Sequence, residues 1–129
     1  MIPYGFTKEL VIPYKKVIDL VREALTKEGF GVLTEIDVQG KMKEKLGINM
    51  KKYIILGVCS PPHAYQAILI EENIGLMLPC NVIVYEKGRK TVLSVIRPAV
   101  AMQMIDNAEL QKIAEAVEEK LKKAFDAIK

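Results

Sequence analysis

The sequence has no tryptophan, a single histidine and two cysteines, and only 6% of its residues are aromatic. Each scarcity removes a class of chemistry. One histidine, His63, leaves no histidine cluster for a metal, and two thiols beside it are a thin ligand set for zinc. No serine stands in a context that supports a triad. The patterns G-x-S-x-G, C-x-x-C, H-E-x-x-H and the phosphate-binding glycine loop are all missing. No apolar run approaches the roughly 20 residues a membrane span needs. The opening residues Met1-Ile2-Pro3-Tyr4 lead straight into a charged, alternating stretch unlike a secretory leader. The expectation is a cytoplasmic protein that meets no membrane and keeps Cys59 and Cys80 as free thiols. Charge of one sign is also in short supply. Nineteen basic against sixteen acidic side chains give a net charge of +3. The lysines alternate with glutamates, as in Glu118-Glu119-Lys120, so a nucleic-acid partner is not expected.

What is present is an ordinary globular balance. Half of the 129 residues are apolar and 27% are charged. A chain of this length forms one domain, residues 1–129, and buries about two-thirds of its unfolded surface. With few aromatics, its core must be mainly aliphatic. No repeat, linker or low-complexity tract interrupts it.

Hydrophobic periodicity gives the order β-α-β-α-β-α-β-β-α. Residues 5–12 alternate as a strand. Pro13 opens a helix whose stripe is Val17, Leu20, Val21, Ala24 and Leu25, and Gly29 ends it. Residues 31–38 alternate again, with Val32, Thr34, Ile36 and Val38 on one face and Leu33, Glu35 and Asp37 on the other. A short lysine-rich helix, Gln39 to Leu46, closes at Gly47. Tyr53 to Cys59 is apolar on both faces and reads as a central strand. Pro61-Pro62 starts the third helix, and Asn73 and Gly75 close it. Leu76 to Glu86 and Lys90 to Arg97 read as a hairpin around Lys87-Gly88-Arg89. Asp106 and Glu109 fit a capping box at the head of the last helix, with Ile105 and Leu110 as its staple. The fold class expected is α+β, a mixed or antiparallel sheet with helices largely on one face.

Leu78-Pro79-Cys80-Asn81 is the leading candidate for chemistry. Pro79 cannot donate to a sheet ladder, so pairing breaks there, at an edge or a bulge. A three-residue hairpin loop sets Cys80 opposite Ile96, and a one-residue shift sets it opposite Arg97. Either register predicts a guanidinium near the thiol, which would favour thiolate. The plain alternative is that Cys80 is a small buried hydrophobe. Glu35 and Asp37, two residues apart on a strand, could hold a cation or do acid–base work, though such pairs are commonly the wet face of a sheet. The apolar run Pro98 to Ile105, with Met102 and Met104, suits core packing or a subunit contact.

The blocks Gly29-Phe30-Gly31-Val32-Leu33-Thr34-Glu35-Ile36-Asp37-Val38, Ile55-Leu56-Gly57-Val58-Cys59, Ala64-Tyr65-Gln66-Ala67 and Gly75-Leu76-Met77-Leu78-Pro79-Cys80-Asn81-Val82, with Pro98, resemble the family of domains of unknown function numbered 302. The resemblance spans essentially the whole chain. It implies a small α+β protein of a TATA-binding-protein-like class, with homodimers among its members, and no established activity. Glu35 and Asp37 fall on the family's acidic block and Leu78 to Asn81 on its cysteine block. The chain departs from the pattern at Ser60, where asparagine often precedes the proline.

Three functions follow as expectations. The first is a non-enzymatic homodimeric binding module, without a cofactor, for a small ligand such as a sulfur species or a metal. Its site would be Glu35, Asp37, Pro79, Cys80, Asn81 and Arg97. The second is a thiol enzyme or sulfur carrier using Cys80 as its nucleophile. The third is an interaction protein working through residues 98–105.

Overall fold

The computed structural model describes residues 2–129. Five strands form one sheet in the order β1-β5-β4-β3-β2, and every neighbouring pair is antiparallel. The strands are β1 (Gly5–Leu10), β2 (Gly31–Asp37), β3 (Tyr53–Cys59), β4 (Cys80–Lys87) and β5 (Lys90–Ile96). The helices are α1 (Tyr14–Lys27), α2 (Val38–Leu46), α3 (Pro61–Ile70), the single turn α4 (Pro98–Ala101) and α5 (Ala108–Ala127), with a 3-10 segment at Glu72–Met77. The expected α+β class and element order are observed, and the sheet is wholly antiparallel.

α1 begins after Pro13, whose fixed φ suits a helix entrance. It buries Val17, Val21, Ala24 and Leu25 and stops before Gly29, whose φ of +83° is a left-handed conformation that glycine adopts without strain. α5 buries Leu110, Ala114, Val117, Leu121, Ala124 and Phe125 at helical spacing. The α1 stripe and the α5 stripe from Val117 onward pack on Leu56, Val58, Val82, Val84, Leu93 and Val95, the alternate residues of β3, β4 and β5 that share a face. A second cluster forms at the end of the sheet, where Ala67, Ile74, Met102, Leu110 and Ala114 meet. Ile113 of α5 packs against both clusters, so the core is two masses joined along this helix.

Four local expectations are corrected. The hairpin loop is Gly88-Arg89 alone, because Lys87 pairs with Lys90 and Glu86 with Thr91. Gly88 takes φ +61°, and a two-residue turn with a positive φ matches the twist of its strands. Residues 76–78 are not strand, since the 3-10 segment runs to Met77. The α5 cap is Asn107, not Asp106: its side chain accepts from the Leu110 amide at 3.1 Å and donates to the Ile70 carbonyl. That second bond ties the head of α5 to the end of α3, a tertiary gain that Asp106 cannot match with an acceptor-only carboxylate. The fourth correction concerns β2. Its register shifts between Val32 and Thr34, which leaves Leu33 as a bulge. Val32 keeps the helix-covered face, but Thr34 and Ile36 pass to the opposite one and Glu35 and Asp37 take their place. β2 is an edge strand, with Leu33 63% and Ile36 44% exposed, so it is not the half-buried strand that its alternation predicts.

Candidate functional site

The seam between the two core clusters is not filled. It holds a cavity of about 340 Å³, walled by α3, α5, the ends of β3 and β4, and Met102 after α4. Its floor is Val58 and Cys80, and its sides are Ala64 and Ala67 of α3 and Ala114 of α5. The space exists because those three helical positions carry alanine. Larger aliphatic side chains there would close two well-packed layers against each other. Leu33 and Ile68, both well exposed, also border the cavity. The β2 bulge thus brings an apolar side chain to this site, where a regular strand would have sent it elsewhere.

The cysteine block reaches the cavity through a specific backbone path. The Leu78–Pro79 peptide is cis, and Pro79 comes directly before the first residue of β4, where a missing N–H costs the ladder nothing. The proline ring lies over Gly57 of β3. A Cβ placed on Gly57 would stand 2.7 Å from Pro79 Cγ and 2.2 Å from Thr34 Oγ1, so only glycine fits beneath them. Val58 is the cross-strand partner of Cys80. Cys59, the last residue of β3, borders the same cavity as the chain turns into α3. Ser60 is buried and joined to His63 Nδ1 by a 2.7 Å hydrogen bond, which gives the lone histidine a local partner at the helix entrance.

Six residues were expected to gather here. Pro79 and Cys80 do line the cavity, whereas Glu35, Asp37, Asn81 and Arg97 do not. Glu35 pairs with Arg22 of α1 across the bulged strand. Asp37 caps α2, accepting from the Gly40 amide at 3.1 Å. Asn81 is exposed and pairs with Gly57 in the ladder. The expectation of a guanidinium beside the thiol is corrected. Continuing the Val82–Val95 register does bring Arg97 into line with Cys80, but the side chain turns to α5. There its Nε and Nη2 donate to Glu118 Oε2 at 3.2 and 3.1 Å, and its plane lies over Phe6. Glu118 also accepts from the Ala99 amide, so the pair fastens α4 to α5. Without that cation, burial pushes the Cys80 thiol up to about 11, with Cys59 adding to the rise, and burial also raises Cys59. Burial therefore favours the neutral form of the Cys80 thiol.

Sequence reading passed over the alanines that make the cavity. The signal in the sequence is the small volume of Ala64, Ala67 and Ala114 at positions that line this space. Met102 is buried and faces the cavity while Met104 is 80% exposed, so residues 98–105 divide between core and surface. Among the described residues no group of three or more His, Cys, Asp or Glu side chains could hold a metal ion, and no helix is long and apolar enough to cross a membrane.

A family model described as "Domain of unknown function DUF302" matches residues 6–128. The crystal structure of an uncharacterised conserved DUF302 protein from Bacillus stearothermophilus has the same fold, with a TM-score of 0.91 and 28% sequence identity. The match covers 99% of this chain and 100% of that one. Comparison with curated proteins gives no match.

Proposed function

The chain belongs to the DUF302 family, and from its cavity we propose a non-enzymatic binding module for a small, uncharged, largely apolar ligand. The observation that carries this reading is the unfilled seam of about 340 Å³ between α3, α5 and the sheet ends. Ligand sites commonly start near 300 Å³ and are mostly apolar. An apolar protein cavity of about 150 Å³ holds benzene, so this one suits a body of roughly two fused rings. The raised Cys80 thiol supports binding over thiol catalysis, because a nucleophile needs the thiolate that this wall disfavours.

Titration with naphthalene tests the reading. Saturable binding is expected, and Ala114→Leu, which places three more carbons in the cavity, abolishes it. Equal binding by both proteins would contradict the site.

A second reading, homodimerisation, is supported by the sheet face opposite α1 and α5. Tyr53 and Tyr85 stack there with ring centroids 5.2 Å apart, next to Ile83. A second copy could cover these rings, whereas an antiparallel sheet facing water usually carries polar residues. Sedimentation should then give a dimer that Ile83→Lys converts to monomer, and a monomer for the parent chain removes the reading.

A further inference from the structure

We propose that Cys59 and Cys80 together form a dithiol site for a soft, thiophilic centre of the trivalent arsenic class, carried on a small apolar body that fills the cavity. The inference rests on the cavity reading above and adds the chemistry of its wall.

The two thiols come from neighbouring strands. Val58 stands opposite Cys80, and Cys59 is the next residue along β3. Strand spacing then puts the two Cα atoms about 5.5–6.5 Å apart. Cysteines at about 4.4–6.8 Å can be bridged directly where their Cβ atoms converge, and one intervening atom relaxes that demand. In a regular strand residues 58 and 59 would face opposite sides. Here β3 ends at Cys59, and Cys59 and Cys80 are both among the residues that line the cavity. Both cysteines are free.

The rest of the wall selects the ligand type. No carboxylate lines the cavity among the described residues, so it offers no donor set for hard cations such as magnesium or calcium. Thiols prefer soft centres. The third sulfur on the wall, Met102, is equally soft. Low polarity penalises any adduct that keeps a net charge. A trivalent organic arsenical gives a neutral one. Hydrated as a dihydroxide, it exchanges two As–O bonds for two As–S bonds. Each thiol proton leaves with a hydroxide as water, so two waters depart and nothing is oxidised or reduced. The organic group stays on arsenic and occupies the space between Ala67 and Ala114.

Phenylarsine oxide is the probe. The expected result is one equivalent retained in excess 2-mercaptoethanol and released by 2,3-dimercaptopropanol, followed by native mass spectrometry. Cys59→Ser and Cys80→Ser should each lose that retention, and Cys80→Ala should do the same without placing a hydroxyl in the wall. Retention by any of these variants at the parent level, or ready release from the parent by the monothiol, would overturn the dithiol site. Naphthalene titration of the same preparations separates the two claims. Naphthalene binding without arsenical retention overturns the dithiol site alone, and loss of naphthalene binding by the parent overturns the cavity reading.

Discussion

Cys80 keeps its proton because its surroundings offer nothing to stabilise a negative sulfur. Its pKa rises from 9.0 to about 11, first through burial and then through Cys59. Between those values the unfolded chain releases the proton while the folded chain holds it. The thiol therefore lowers stability as pH rises from about 9 to about 11, and has no such effect below that window. Urea unfolding near pH 8 and near pH 10 should show a smaller loss in Cys80→Ala than in the parent; parallel losses would contradict this. Gly57 makes a second residue-scale claim. Gly57→Ala drives a methyl into Pro79 and Thr34, at an expected cost of about 1–3 kcal/mol, lessened in a Thr34→Ala background. The sequence showed Pro79 and Cys80 as unusual, and both do line the cavity. It could not show where Arg97 points, because Glu118 and Phe6 lie far away in the chain and compete for that guanidinium.

Elements were legible where one stripe of residues decided the outcome, and less so where a tertiary contact did. α1 follows its apolar periodicity almost to the residue, and α5 buries one face at helical spacing along its length. The head of α5 does not follow the capping-box pattern, because Asn107 gains a bond to the end of α3. Asn107→Ala should cost about 1–2 kcal/mol in chemical denaturation, while Asp106→Ala should be near neutral. A larger cost at Asp106 would put the cap back at the position the pattern favours. β2 shows the other limit. Its alternation is regular in the sequence, but the bulge at Leu33 reverses the faces beyond it. Glu35 and Asp37 then find partners in Arg22 and the head of α2, so the acidic pair serves the fold and not the cavity.

At the scale of the whole molecule, the α+β class and the order of elements could be read directly, since each strand and helix carries its own period. The cavity could not. It arises where two core clusters leave a gap between them, and periodicity places Ala64, Ala67 and Ala114 on apolar helix faces without recording how much space they leave. Ala114→Leu should accordingly raise stability by about 1–2 kcal/mol, as added methylenes enter existing space. A loss of stability would mean that the seam is already closed in solution. The most direct test of the binding account is a crystal of this protein soaked with 2-bromonaphthalene and measured at the bromine edge. The account predicts one anomalous peak inside the seam, between Ala67, Ala114 and Cys80. A peak only on the Tyr53–Tyr85 face of the sheet, or none within the seam, would contradict it.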